Sequence, residues 1–168
     1  MEDKLNLYID FDGVILDTIP PLYQMVKDHN IAENDEQAKR IFFSQVDWEN
    51  LIRNTPQIND SIECIKKIRK SQKFNIAILT HINSLQEGIA KIIFLEEKLP
   101  DITKIIVPKE ISKTKMLETK GAILVDDYQG NLDEWASEGG IPIKFSTKVD
   151  KVYKYKSISR LDELLDLF

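Results

Sequence analysis

The chain has 168 residues, 42% of them hydrophobic and 30% charged, which is enough for one globular domain with a substantial core. Its formal net charge of -5 argues against a general nucleic-acid binder, because such proteins need a basic surface. The single cysteine, Cys64, excludes an internal disulfide framework and is expected to be a small buried side chain.

The beginning of the sequence, Met1 to Lys4, is charged and leads directly into a short apolar run. It does not have the pattern of a signal peptide, and no apolar run in the chain is long enough to span a bilayer. We therefore expect a cytoplasmic protein without a membrane or nucleic-acid partner. The oligomeric state has no signal in the sequence.

Five short apolar runs are predicted as strands: residues 5–9, 74–79, 102–107, 122–125 and 141–145. They alternate with helical patterns, which is typical of a parallel sheet whose two faces are covered by helices. We predict an α/β fold with a Rossmann-like, three-layer parallel sheet. The basic stretch 148–156 gives no clear element, and residues 159–168 are predicted as a terminal amphipathic helix.

Residues 18–56 differ from the rest because they are helical in pattern and contain no strand signal. Pro20 and Pro21 are expected to break the chain there. Three helices are predicted after them, the last one capped by Asp47. This segment is interpreted as a helical insert that stands over the end of the first strand.

The helix predicted after the second strand carries apolar residues at helical spacing, namely Ile89, Ile92, Ile93 and Leu95. A short helix is predicted after Ser112, and another one contains Leu132 and Trp135. The two tryptophans, Trp48 and Trp135, are expected to be packing residues.

Polar side chains follow three of the predicted strands at the point where each ends: Asp10 and Asp12, Thr80, and Asp126 with Asp127. Right-handed crossovers bring the carboxyl ends of parallel strands to one edge of a sheet, where such folds bind ligands. These side chains should therefore lie close together.

Acids, a threonine and a lysine at one edge favour a site for magnesium and phosphate. Magnesium prefers oxygen ligands and commonly uses one or two carboxylates together with a substrate phosphate. Lys113 or Lys115 can supply a positive charge, and the Thr80 hydroxyl and backbone N–H can bind phosphate oxygens. A carboxylate can also attack phosphorus and form an acyl phosphate.

Each of these residues alone has an ordinary structural explanation. Asp10 and Asp12 resemble a loop cap, Asp126 with Asp127 resembles a helix start, and a lone lysine is usually a surface charge. His81 is interpreted either as a phosphate-binding residue or as a hydrogen-bonded neighbour of the site. The functional interpretation depends on all the features occurring together, in this order.

The combination resembles the haloacid dehalogenase (HAD) superfamily, which consists mostly of phosphatases. The first motif of that family is present as Asp10-Phe11-Asp12-Gly13-Val14, and the second as Ile76-Ala77-Ile78-Leu79-Thr80. The third is a lysine upstream of the fourth strand, and the fourth is present as Ile123-Leu124-Val125-Asp126-Asp127. The resemblance spans residues 8–127, and it implies a HAD core of residues 1–17 and 57–168 with a small cap at residues 18–56.

The resemblance also implies roles for individual residues. Asp10 would be the nucleophile and Asp12 the general acid and base. Magnesium would be bound by Asp10, the Asp12 backbone carbonyl, Asp126 and, directly or through water, Asp127. Thr80, together with His81, and a lysine would bind the phosphate. Lys113 is our choice for that lysine, and Lys115 and Lys109 stay open as alternatives.

The stretch that follows Asp127, from Tyr128 through Trp135 to Ile143, is similar to the 5'-deoxyribonucleotidase branch of the family. This similarity implies a nucleoside (deoxyribonucleoside) monophosphate as substrate, and another small phosphorylated metabolite is the alternative. Two functions from other classes are a receiver-like phospho-acceptor signalling domain and a catalytically silent scaffold. The helical insert and the order of the motifs favour the phosphatase.

Overall fold

The computed structural model describes residues 4–168. Of the charged stretch at the beginning of the sequence, Met1 to Asp3 therefore lie outside the described residues. The structure contains a six-stranded parallel sheet in the order β3-β2-β1-β4-β5-β6. The strands are β1 (Leu5–Ile9), β2 (Phe74–Ile82), β3 (Thr103–Pro108), β4 (Ile123–Asp126), β5 (Ile141–Phe145) and β6 (Ser157–Ile158). The predicted α/β fold with a Rossmann-like parallel sheet is confirmed.

Within residues 4–168, seven α-helices accompany the sheet: α1 (Ile19–Asp28), α2 (Glu36–Gln45), α3 (Trp48–Asn54), α4 (Ser61–Ser71), α5 (Leu85–Lys98), α6 (Gln129–Ser137) and α7 (Leu164–Leu167). Cys64 is buried in α4, as expected. Among the described residues, no helix combines the length and the apolar character that crossing a membrane requires.

Alternate side chains of the same strands supply two separate cores. Ile123 and Val125 belong to the larger core, whereas Leu124 packs with Leu132 and Trp135 in the smaller one. Because successive side chains of a strand point to opposite faces, the two cores lie on opposite faces of the sheet. The result is the predicted arrangement of three layers.

The segment between β1 and α4 forms three helices and contributes to the larger core. Asp35 and Asp47 cap α2 and α3 by accepting bonds from Ala38 N at 2.9 Å and Asn50 N at 3.1 Å. Phe43 is buried, and its carbonyl accepts a 2.8 Å bond from the indole of Trp48. The expected packing role of Trp48 follows from this contact.

Pro20 and Pro21 were expected to break the chain, but in the structure both lie in the first turn of α1. Backbone N–H groups of a first helical turn have no partner within the helix, so proline is tolerated there.

The structure differs from the sequence predictions at two further places. The terminal helix predicted over 159–168 is only a 3-10 turn, Leu161–Glu163, followed by the short α7. The Glu163 carboxylate accepts bonds from the backbone N–H groups of Ser159 and Arg160, at 2.8 and 2.7 Å, which holds those residues in an N-terminal cap outside the helix. The second is β6, which was not predicted, because its two residues carry no apolar run.

Candidate active site

The order of the sheet reverses between β1 and β4, and this is where such folds open a crevice for ligands. Ile9 is paired with Val125, and the backbone N–H of Asp10 donates a 3.0 Å bond to the Val125 carbonyl. The residues at the carboxyl ends of these two strands therefore meet at the crevice. They are Asp10 on one side and Asp126 with Asp127 on the other.

Asp10, Asp126 and Asp127 form an acidic cluster in which one carboxylate oxygen of each lies within 4.8 Å of the others. Asp10 is 6% exposed and Asp126 is fully buried. Burial, followed by the charge of Asp126, raises the pKa of Asp10 well above its usual range. Burial, followed by the charges of Asp126 and Asp12, raises the pKa of Asp127 to about 7.

Lys113 is 2% exposed and bridges two members of this cluster. Its ammonium lies 2.8 Å from Asp10 Oδ1 and 2.7 Å from Asp126 Oδ2. Burial lowers the pKa of Lys113, but the attraction of Asp10 and Asp126 outweighs it, so the net shift is upward. Of the three candidate lysines, the structure brings Lys113 to the acids and leaves Lys109 and Lys115 exposed.

The local structure explains why Lys113 points inward. A 3-10 helix spans Lys113–Lys115, and the Ser112 hydroxyl caps it by accepting a 3.3 Å bond from Thr114 N. The predicted cap at Ser112 is therefore present, on a shorter helix than expected. Within this single turn, the first lysine faces the sheet edge and the third residue faces solvent.

Asp126 is fixed by α6 as well as by Lys113. Its Oδ1 accepts a 2.8 Å bond from Tyr128 N, and its Oδ2 accepts a 2.9 Å bond from the Asn131 side chain. The backbone carbonyl of Asp127 accepts a bond from Lys144. The turn that joins β4 to α6 is thereby held in one geometry at the crevice.

Gly13 allows the chain to pass directly beneath Asp127. Its φ of +74° is in the left-handed region, and a Cβ built on it would overlap Asp127 Oδ2. The left-handed backbone and the close contact with the Asp127 carboxylate both favour glycine at this position.

The Asp12 carboxylate does not join the acidic cluster. Its Oδ1 accepts a 2.7 Å bond from the Thr18 hydroxyl, and its Oδ2 lies 2.6 Å from the ammonium of Lys91. The two acids of the first motif thus have separate partners, with Asp10 on Lys113 and Asp12 on Lys91.

Thr80 is fully buried within β2, which continues to Ile82 rather than ending at residue 79 as predicted. Parallel pairing with β3 continues through Ile82 and Pro108, which explains the longer strand. The His81 ring is half-buried and its Nε2 lies 2.8 Å from the Ile111 carbonyl. Burial lowers the pKa of His81. Its ring thus contacts the loop that precedes Lys113.

Sequence reasoning missed Lys91 and Glu87, which are both 1% exposed and form a 2.8 Å ion pair within α5. A Glu and a Lys four residues apart are common on exposed helix faces, so the spacing alone did not indicate burial. Most of the other positions of this helix are apolar, which leaves few polar neighbours for Glu87 and Lys91 on a solvent-facing side. That pattern was the one available signal.

The solved structures that resemble this chain include several HAD hydrolases. A HAD-superfamily hydrolase of subfamily IA from Geobacter sulfurreducens matches with a TM-score of 0.63 and 14% identity, over 99% of this chain and 100% of that one. A HAD phosphatase from Thermococcus onnurineus matches with a TM-score of 0.63 and 14% identity, over 97% of both chains.

A hydrolase from Pseudomonas syringae gives a TM-score of 0.66 at 11% identity, over 98% of this chain and 97% of that one. No protein-family model matches the sequence, and no curated protein matches it. At these identities the likeness shows the fold alone, an α/β fold with a parallel sheet that this chain shares with solved HAD hydrolases.

Proposed function

We propose that the chain is a magnesium-dependent phosphomonoesterase that works through an aspartyl phosphate formed on Asp10. The observation that carries this proposal is the contact of Asp10 with Lys113 beside Asp126 and Asp127, at the edge of a HAD-type sheet. A carboxylate nucleophile, a fixed ammonium group and a set of oxygen ligands are the parts that phosphoryl transfer needs.

The acidic cluster fits a magnesium ion. Asp10, Asp126 and Asp127 would hold it through their side chains, and Asp12 through its backbone carbonyl. Hard oxygen donors of this kind suit magnesium. Burial first, and neighbouring carboxylates second, raise the pKa values of Asp10 and Asp127, and a bound cation would favour the charged form of both acids. When bound, the ion would neutralise charge on the phosphoryl oxygens.

In the first step, Oδ2 of Asp10 attacks phosphorus, since Oδ1 is held by Lys113. The bond from phosphorus to the leaving oxygen breaks, and its electron pair stays on that oxygen. The Asp12 carboxyl gives its proton to the same oxygen, so an alcohol departs and the phosphoryl group stays on Asp10. Lys113 and Thr80 bind the phosphoryl oxygens, and His81 supports the loop before Lys113.

In the second step, a water molecule attacks phosphorus and gives a proton to the Asp12 carboxylate. The bond between phosphorus and Asp10 breaks with its electron pair returning to the carboxylate, which releases inorganic phosphate. We assign these proton transfers to Asp12 Oδ1. Its partner, the Thr18 hydroxyl, is released at lower cost than the charged partner of Oδ2.

We propose residues 18–56 as the cap, and a nucleoside or deoxyribonucleoside monophosphate as the substrate. A cavity of about 750 Å³ lies between α1, α2 and the loop after β2, which is within the usual size of small-molecule sites. Apolar side chains from the helices, including Leu22, Tyr23 and Phe43, line it together with Asn83 and Lys109. This mixture suits a base and a sugar, and another small phosphorylated metabolite is the alternative.

The receiver-like alternative is disfavoured by topology. Receiver domains of the flavodoxin-like kind have the strand order 2-1-3-4-5, whereas this sheet has the order β3-β2-β1-β4-β5-β6. The proposed compartment is the cytoplasm, where a lone buried thiol such as Cys64 stays reduced.

The test is hydrolysis of a generic aryl phosphate with magnesium, by the wild type and by Asp10→Asn. We expect turnover to require magnesium and to be lost in the variant. Asp101→Asn is the control, because Asp101 is an exposed acid that precedes β3, at the opposite edge of the sheet. Activity that survives Asp10→Asn would refute the covalent mechanism, and a panel of nucleoside monophosphates and sugar phosphates would identify the substrate class.

A further inference from the structure

Helix α5 departs from the pattern of an ordinary amphipathic helix, because its inward side combines Ala90 and Leu95 with two charged residues while its outward side is largely apolar. It buries the charged residues Glu87 and Lys91 and exposes Leu85, Ile89, Ile92 and Ile93, which are 77%, 58%, 41% and 43% exposed. Helices at the surface of a globular protein normally turn their apolar side to the core. Of the four apolar residues that the sequence singled out in α5, only Leu95 is buried.

The two buried charges of α5 meet at one ammonium group. Lys91 Nζ lies 2.6 Å from Asp12 Oδ2, 2.8 Å from Glu87 Oε1, 2.9 Å from the His81 carbonyl and 3.0 Å from Thr80 Oγ1. An ammonium has three N–H donors, so these four acceptors use all of them. Lys91 therefore joins the end of β2 to the first motif.

Glu87 is fixed in turn. The other oxygen of its carboxylate accepts a 2.6 Å bond from Asn83 N and a 3.1 Å bond from the Asn83 side chain. Its own N–H donates to the Ser84 hydroxyl that caps α5. The Glu87 carboxylate therefore contacts the Lys91 ammonium with one oxygen while the other oxygen is bonded to Asn83.

Stability does not account for this arrangement. Burying an ion pair costs several kcal/mol of desolvation for each ion, and apolar residues of similar size are often as stable or more stable there. The helix has isoleucines available within one turn on either side of Lys91, yet they face outward. A buried charge whose partners are two proposed active-site residues points to a role in the reaction.

We propose that Lys91 is a positioning residue that anchors Asp12 through Oδ2 and holds Thr80 beside it. This inference rests on the proposed phosphatase function. With Oδ2 anchored, Asp12 Oδ1 is left to exchange its Thr18 partner for the leaving oxygen. Lys91 then acts through Asp12 and contacts neither the phosphorus nor the leaving group.

Changing the leaving group of the substrate distinguishes a Lys91 that positions Asp12 from a Lys91 that only stabilises the fold. A p-nitrophenolate departs without a proton, so the first step with p-nitrophenyl phosphate needs little help from Asp12. A phenolate is a poorer leaving group of nearly the same shape and depends more strongly on the proton. Misplacing Asp12 should therefore slow phenyl phosphate more than p-nitrophenyl phosphate.

The experiment measures kcat/KM for both esters, with magnesium, in the wild type and in Lys91→Met. We expect the ratio of p-nitrophenyl to phenyl phosphate to rise by about tenfold or more, because general acid catalysis contributes about 10²–10⁴-fold. Lys98→Met is the matched control, since Lys98 lies on the same helix with an exposed partner, Glu97. Its ratio should equal that of the wild type.

A second variant keeps the test valid if Lys91→Met alone does not fold. Glu87→Gln combined with Lys91→Met removes both members of the buried pair, keeps an acceptor for Asn83 and still leaves Asp12 without its anchor. This double variant should show the same rise in the ratio. Asp12→Asn should show it as well, and adding Lys91→Met to Asp12→Asn should not raise it further, because both act in one step.

The outcomes distinguish a failure of the role proposed for Lys91 from a failure of the proposed phosphatase function. If folded Lys91 variants slow both esters equally, or neither, Lys91 is only structural and the inference is overturned while the phosphatase stands. If neither Lys91 variant folds, the residue is structural and the inference also fails. If the wild type hydrolyses neither ester, the proposed function itself is refuted.

Discussion

Removing the ammonium of Lys113 leaves two buried acids without their shared partner. Asp10 is 6% exposed and Asp126 fully buried, and both lie within 2.8 Å of Lys113 Nζ. Taking one partner out of a buried ion pair typically destabilises a protein by about 3–5 kcal/mol. We therefore expect Lys113→Met, which keeps the length of the side chain, to lower the free energy of unfolding by about that amount in metal-free buffer.

The assay is urea unfolding in EDTA at neutral pH, with Lys115→Met as the control. Lys115 belongs to the same 3-10 turn but is exposed, so its substitution should cost less than about 0.5 kcal/mol. Saturating magnesium should recover part of the loss, since a ligand at 100 times its Kd contributes about 2.7 kcal/mol. A loss below about 1 kcal/mol for Lys113→Met, or equal losses for both variants, would refute this account of the acidic cluster.

Two further predictions concern the same crevice. Without metal, the free energy of unfolding should fall as pH rises from the unfolded pKa of Asp127, 3.8, to its folded pKa of about 7, because the folded chain binds that proton more tightly. Urea unfolding across this range in EDTA checks it, and magnesium should flatten the curve; stability that rises over this window would contradict it. Gly13→Ala should weaken magnesium binding at least tenfold, measured by calorimetry, since the added Cβ would overlap Asp127 Oδ2. Gly121→Ala is the control, because it has the same backbone strain, at φ +73°, and no neighbour within 4 Å. Equal binding by the two alanine variants would show that the approach of Gly13 to Asp127 is not needed.

Most of the sheet could be predicted because its strands are apolar on both faces. The predicted bounds of β1 and β5 match the structure, and the acids after β1 and β4 meet because adjacent parallel strands end at one edge. Asp10 and Asp126 were placed together from this rule alone, although 115 residues of sequence separate them.

The sequence favoured Lys113 over Lys115 without deciding between them. Both lie within one turn next to the same serine, and only the direction of that turn decides which ammonium is buried. The direction depends on packing against β2 and α6, which are distant in the sequence.

Lys91 could not be predicted, because its burial reverses the usual pattern of a helix. The alternation of polar and apolar residues in α5 favoured an inward face of isoleucines. The structure instead satisfies the charges of Asp12 and Glu87 with that inward face. The local pattern therefore gave the wrong inward face where the charged side chains of the proposed site, and not the apolar core alone, determine which residues of the helix are buried.

The central claim is that Asp10 carries the phosphoryl group, and trapping that intermediate tests it most directly. Asp12→Asn lacks the base for the second step, so it should accumulate phosphate on Asp10 when supplied with p-nitrophenyl phosphate and magnesium. Intact mass and peptide mapping after rapid acid quench would locate the phosphate. We predict one phosphoryl group on the peptide that contains Asp10, and none in Asp10→Asn. Phosphate on Asp126 or Asp127, or turnover without any covalent phosphate, would contradict the account.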